Sequence, residues 1–215
     1  MSGSSGDDRG LVRAWKRSLA RPGFLLQFLA ALVVLTAVMI VFRGFLDRVE
    51  SRPGVVLADP LLSHFAPRNV SIPVFVMLNG SLLFGVYRLA HAPERLVAAL
   101  WAYAGIVATR MLAMHLVPLD PPPTLIPLTD PFVEAFGDHR TLTRDLFFSG
   151  HTAILTLLTL AAPSPRSRGI LFVSTLLVAG GVLAQHAHYA VDVLVAPFVS
   201  FAWWRICAAR VDTRG

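Results

Sequence analysis

Cysteine is nearly absent from this 215-residue chain: Cys207 stands alone, which excludes a disulfide framework and any thiolate metal cluster. Charge is scarce too. Only 15% of the residues are Asp, Glu, Lys or Arg, against about a quarter in an ordinary soluble domain, while 55% are apolar and the mean hydropathy is +0.63. That balance excludes a disordered chain and argues against a water-soluble globule. No internal repeat of fixed period and no compositional break between two domains is present. A His-Glu-x-x-His helix is also missing, so a zinc site would have to be assembled from distant loops, and no metal or other cofactor is expected. The formal charge of +6 and the pI near 10.6 raise the question of nucleic acid. The basic residues, however, flank long apolar runs, so the excess reads as membrane topology and no nucleic-acid partner is expected.

What the chain has is apolar length. Crossing about 30 Å of hydrocarbon takes roughly 20 apolar residues in a helix, because each residue rises about 1.5 Å and lipid offers the backbone no partners. Six stretches qualify: Phe24 to Phe42, Val70 to Val86, Leu96 to Val117, Leu146 to Ala162, Gly169 to Ala184 and Tyr189 to Cys207. The fourth and fifth are short unless helix extends past their apolar limits. The first is expected to stay as a span, since it is too long for a signal core and no small-residue cleavage pattern follows it.

Positive charge is retained in the cytoplasm, and the arginines and lysine divide unevenly between the two faces. Arg9, Arg13, Lys16, Arg17 and Arg21 before the first span, Arg88 and Arg95, Arg166 and Arg168, and Arg205, Arg210 and Arg214 fall on one side. The other side has Arg43, Arg48, Arg52, Arg68, Arg140 and Arg144, half as many. The expected fold is therefore all-α: a polytopic bundle of six transmembrane helices with both termini cytoplasmic. It divides into a basic segment over 1–22, a membrane domain over 23–208 and a short tail over 209–215. Two long connections, Arg43 to Asn69 and Pro118 to Asp145, fall on the extracytoplasmic face, and the second is rich in proline and acid.

Ionisable side chains at membrane depth are costly, so each one is a hint of a site or of a buried pair. Arg110 lies inside the third run, either snorkelling to the headgroups or binding a phosphate from below. His151 follows Ser149-Gly150, a plausible helix start whose first amides are open to an anion. His188 and Asp192 are four apart and share a helix face, so the carboxylate can hold one imidazole nitrogen and leave the other nucleophilic. A merely structural buried pair has the same spacing. By topology, all four groups converge on the extracytoplasmic end. Two histidines, a carboxylate and an arginine there suit metal-free phosphoryl transfer: a nucleophile, a proton donor for the leaving oxygen, and positive charge. His64, His115, His139 and His186 receive no role.

Ser149-Gly150-His151-Thr152 and His188-Tyr189-Ala190-Val191-Asp192-Val193 resemble the two signature segments of the sphingomyelin synthase-like branch of the type 2 phosphatidate phosphatase superfamily. The likeness extends from Leu57-Ala58-Asp59-Pro60 through Asn79-Gly80 and the Arg110 segment to Trp203-Trp204. The resemblance implies that His188 attacks phosphorus to form a phosphohistidine, that Asp192 orients it, and that His151 protonates the departing glycerol oxygen and later deprotonates the acceptor. It also implies Arg110, Ser149 and Gly150 around the phosphate, with Asp145 tuning His151 and Tyr189 in support. Departures from the family are Ala187, where it has an acid, and Thr143-Arg144, where it has Cys-Gly; Arg144 would repel a choline cation. The phosphatase branch has a Lys and an Arg-Pro six residues apart near the site. Lys16, Arg17 and Arg21-Pro22 are too close together for that and belong to the wrong side.

The expected activity is transfer of a phospho-headgroup, of phosphocholine or phosphoethanolamine type, from a glycerophospholipid donor to a lipid alcohol acceptor such as ceramide, leaving diacylglycerol. Hydrolysis of the same lipid, as a phospholipase C or lipid phosphate phosphatase, is the alternative. A lipid transporter without chemistry is a third.

Overall fold

The computed structural model describes residues 4–128 and 142–212. Among them lie seven α-helices: α1 (Ser4–Leu19), α2 (Phe24–Ser51), α3 (Ser71–Ala90), α4 (Pro93–Leu116), α5 (Gly150–Ala161), α6 (Pro165–Ala184) and α7 (Ala190–Asp212). A 3-10 turn spans Leu62–His64, and a single bridge between Val55 and Leu119 is the one β-type pairing among the described residues. His139, with Asp130, Glu134 and Asp138 of the expected second long connection, lies outside them.

Five helices, α2, α3, α4, α6 and α7, are long and apolar enough to cross a membrane. The expected fourth span is the exception by length, although its segment still runs from the Ser149 end of the bundle to Arg95 at the other, where Ala161 and Ala162 accept from the guanidinium. Its helix, α5, has only 12 residues and so is about 18 Å long, well short of the hydrocarbon thickness. Local chemistry sets both ends. The Ser149 hydroxyl accepts from the Thr152 amide and starts the helix at Gly150, while Pro163 disfavours helix at Ala162. A helix this short needs no lipid-facing length because protein surrounds it: α5 packs on α3, α4, α6 and α7.

That central position makes α5 the spine of the core. One side, with Leu155 and Leu158, meets Val74, Phe75 and Leu78 of α3 and Leu171, Val178 and Val182 of α6. The other, with Ala153 and Leu157, meets Ala98, Ala102 and Ile106 of α4 and Ala196 of α7. Small residues allow the second set of backbones to approach closely, as helices must when lipid supplies no hydrophobic drive. Gly105 shows the tolerance: a Cβ there would lie 2.4 Å from the Trp203 ring, whose indole N–H donates to Thr109 Oγ1 at 2.9 Å. The outward faces carry Leu26, Ile40, Leu83 and Phe198, each at least two-thirds exposed. Such a surface would be an aggregation site in water and is the normal solvent contact of an integral membrane protein.

Helix α2 continues nine residues beyond the apolar run and stops where Pro53 disfavours helix at Arg52. Arg52 then donates to the carbonyls of Met114 and His115, placing positive charge on the C-terminus of α4. At the opposite end of the bundle, Trp15 of α1 donates to the Ala90 carbonyl, Ser18 donates to Glu94, and Arg21 pairs with Glu94 at 3.3 Å. Both described chain ends therefore lie at one end of the bundle. The ends of α2 and α4 and the starts of α3, α5 and α7 lie at the other.

Candidate active site

At that second end, α7 begins with Asp192 in its first turn. Asp192 is fully buried, and its Oδ2 accepts from the backbone N–H of Tyr189 and faces His188 Nδ1, both at 3.2 Å. The pair four residues apart thus meets, although His188 lies in the bend before α7 and not on a shared helix face. With Nδ1–H donated to the carboxylate, Nε2 of His188 carries the lone pair, and it makes no hydrogen bond among the described residues. The Asp192 carbonyl accepts from Ser149 N at 3.0 Å and so locks the start of α5 against α7. This lock sets the His151 ring beside that of His188, with centroids 6.4 Å apart and planes at 68°. Phe75 of α3 holds the other side of His151, edge to face at 5.9 Å.

Arg110 reaches the same place from α4. It is 6% exposed, and its Nε donates to the Phe148 carbonyl at 2.9 Å. Its Nη2 donates to the Asp145 carbonyl at 3.2 Å and to Asp145 Oδ1 at 2.8 Å. The guanidinium is therefore anchored in protein and does not snorkel. Gly150 makes the approach possible: a Cβ there would lie 2.7 Å from Arg110 Nη1 and 2.9 Å from Cζ. Arg110, Asp145, Gly150 and His151 line a cavity of about 260 Å³ that continues along Phe42, Leu78, Leu82, Tyr103, Ile106, Val107 and Ile154. Phe42 of α2 and Leu78 and Leu82 of α3 flank this cavity, and the two helices make no extended contact with each other.

Three further residues of the expected site have places that their contacts define. Asp145 spends its carboxylate on Arg110, and its influence on His151 is only electrostatic and at a distance. The Ser149 hydroxyl is the helix cap and accepts from Thr152, so this residue serves the cavity by presenting the first amides of α5. Tyr189 is a strut: its hydroxyl donates to the Asp120 carbonyl and accepts from Leu57 N, tying the two loops together. Arg144, expected to repel a cation, has its charge offset by Asp120 Oδ1 at 2.6 Å, and its Nη1 donates to the Glu50 carbonyl. The bond from Arg144 Nε holds the Asp120 carboxyl below the usual carboxylate range. A depressed carboxylate stabilises the fold above its ordinary value, and the contribution is lost as pH falls through the lowered one. Lys16, Arg17 and Arg21 stand at the opposite end of the bundle, far from these groups.

Sequence reasoning left the supporting residues without a role. Glu50, in the extension of α2, accepts from the Thr143 hydroxyl and from the amides of Thr143 and Arg144, so it fixes the segment leading to Asp145. Gln185 is fully buried and joins α6 to α3 and to the second loop through Ser71, Val70 and Pro127. Asp59 sits in the Leu57-Ala58-Asp59-Pro60 segment. Its Oδ1 accepts from the amides of Leu61 and Leu62, and its Oδ2 accepts from Ala190 N at 2.6 Å. It thus caps α7 from a distant part of the chain, directly before the His188–Asp192 turn. Asp59→Ala is expected to lower stability by about 1–2 kcal/mol and to reduce turnover; thermal unfolding of the purified protein in detergent, followed beside activity, checks both.

A larger cavity of about 560 Å³ lies between the two loops, lined by Asp59, His64, Phe65, Thr124, His186 and Tyr189 among others, and includes neither Arg110 nor His151. His186 is held there against Thr124 and Phe65. Among the described residues, no group of three His, Cys, Asp or Glu side chains is arranged to hold a metal ion.

Residues 144–209 match the family model described as PAP2 superfamily C-terminal. The matched segment contains Asp145, His151, His188 and Asp192, while Arg110 precedes it. The likeness to that superfamily covers this C-terminal segment, and five helices of the chain are long and apolar enough to cross a membrane. No curated protein matches the chain.

Proposed function

We propose that the protein is a membrane phosphotransferase of the sphingomyelin synthase-like type, moving a phospho-headgroup from a glycerophospholipid to a lipid alcohol through a phosphohistidine. The observation that carries this reading is the His188–Asp192 pair with Nε2 uncommitted, set beside His151 and the anchored guanidinium of Arg110. His188 Nε2 attacks phosphorus, and the bond from phosphorus to the glycerol oxygen breaks. The departing oxygen takes a proton from His151, and Asp192 stabilises the ring that has become positive. Arg110 and the first amides of α5 hold the phosphoryl oxygens while charge builds on them. In the second half, His151 takes the proton of the acceptor hydroxyl, whose oxygen displaces Nε2 and regenerates the enzyme.

The cavity between α2 and α3 suits this chemistry, because an acyl chain can enter it sideways from the bilayer while the phosphate stays at the polar end. The excess of arginine at the end carrying the termini favours a cytoplasmic location for that end, and hence an extracytoplasmic site. Membrane lipids are then both donor and acceptor.

Incubating the purified protein with headgroup-labelled phosphatidylcholine and phosphatidylethanolamine, with and without ceramide or diacylglycerol, tests the proposal. A labelled lipid product that requires the added acceptor is expected. Release of water-soluble headgroup irrespective of acceptor would make the protein a hydrolase, and lipid movement without cleavage would make it a transporter.

A further inference from the structure

The cavity has a polar end and an apolar end, and one residue breaks the pattern. Phe42, Leu78, Leu82, Ile106, Val107 and Ile154 form the apolar end, and Tyr103 is the polar side chain among them. Seven residues separate Tyr103 from Arg110 on α4, so the two share a helix face about 10 Å apart along the axis. The Tyr103 hydroxyl makes no hydrogen bond among the described residues, nor is it among the buried atoms sealed away without a partner. It lies within electrostatic range of both Arg110 and Asp145. A phenol hydroxyl at membrane depth is costly unless something accepts its proton. Among the described residues none supplies that acceptor, which leaves what fills the cavity to provide it.

Lipid geometry identifies that acceptor. With the phosphate at Arg110 and His151, the atoms one glycerol length deeper are the carbonyl groups that join the backbone to its chains. Beyond them is hydrocarbon, which the six apolar residues match. We infer that Tyr103 is a specificity residue whose hydroxyl donates a hydrogen bond to the chain-linking carbonyl of the bound lipid, an ester in a glycerolipid or an amide in ceramide. Its substrates are therefore acyl lipids, and the site discriminates against ether-linked lipids and polyprenyl phosphates, which lack that oxygen. The inference rests on the phosphotransferase reading for the placement of the phosphate.

The test compares two lipids and two proteins. A diacyl phospholipid and its dialkyl ether analogue, with the same headgroup and chain length, are turned over by the wild type and by Tyr103→Phe, which keeps the ring and the packing. Wild type is expected to favour the diacyl lipid by about tenfold in kcat/KM, roughly one hydrogen bond. Tyr103→Phe should lose that preference mainly through a higher KM, with the ether lipid unaffected. Equal losses on both lipids, or an unchanged preference, would overturn the inference. Affinity for non-cleavable diacyl and dialkyl phosphonates, measured on the same two proteins, supplies a readout that needs no turnover. A diacyl preference in binding that Tyr103→Phe abolishes supports the carbonyl contact even if the catalytic reading fails; equal binding of the two phosphonates by wild type overturns it.

Discussion

Turnover by His188→Ala is expected to fall by at least a thousandfold, the scale on which removing a nucleophile leaves only binding and charge stabilisation. The bundle should remain folded, because the His188 ring contributes one polar contact and no large share of the core. Asp192→Asn should fall by a comparable factor for a different reason. An amide N–H₂ facing Nδ1 favours the tautomer that puts the proton on Nε2, where the lone pair is needed. Asp192→Ala is a poorer experiment, since it also strips the partner of Tyr189 N and loosens the start of α7. Rapid acid-free quenching with labelled donor should trap label on the wild-type protein, base-stable as a phosphohistidine is, and none on His188→Ala. Wild-type rates in purified His188→Ala, or label that persists on it, would refute the assignment of the nucleophile.

The second large effect is expected at Arg110. Arg110→Lys keeps the charge but cannot bond Phe148, Asp145 and a phosphate together, because an ammonium lacks the planar fork. A loss of about a hundredfold to a thousandfold in kcat/KM is expected, the range for removing a preorganised donor to developing negative charge. Gly150→Ala separates position from charge. The added methyl would overlap Nη1 and Cζ, and although a guanidinium is the end of a flexible side chain, this one is buried and held at both Nε and Nη2. Moving it breaks those bonds. Alanine also favours helix over glycine by roughly 1 kcal/mol, which offsets only part of that loss, so stability should fall modestly while activity drops by tenfold or more. Full activity in Gly150→Ala with unaltered phosphate affinity would show that the tight approach of α4 to α5 is not what places the guanidinium. Thermal unfolding, read beside steady-state kinetics, distinguishes this from a folding defect.

These expectations depend on groups whose spacing was readable in unequal degree. His188 and Asp192 are four residues apart, His188 in the bend that leads into α7 and Asp192 in its first turn, so their contact is local to that turn and needs no knowledge of the rest of the chain. Ser149 as a cap and Pro163 as a stop are equally local, and together they make α5 shorter than the apolar run that contains it. The apolar run from Leu146 to Ala162 hides this, because hydropathy measures composition and not where backbone hydrogen bonding begins. Asp145 shows the limit of reasoning by separation: six residues from His151, it turns instead to Arg110, thirty-five residues away in the chain. Asp59, Glu50 and Gln185 belong to the same class, their partners lying far off in sequence.

Composition, hydropathic runs and helical period, all properties of neighbouring residues, determined that this chain is all-helical, that it is built for lipid, and that His151, His188 and the buried Arg110 lie toward one end. Only the tertiary structure decided that α5 is an enclosed spine, that Gly150 admits Arg110 and Asp145 holds it, and that Tyr103 stands among the apolar residues of the cavity. The reason is physical. A helix carries its own hydrogen bonds and can be read from its own residues, whereas the partner of a buried side chain is set by which helices pack together, and that choice belongs to the whole fold.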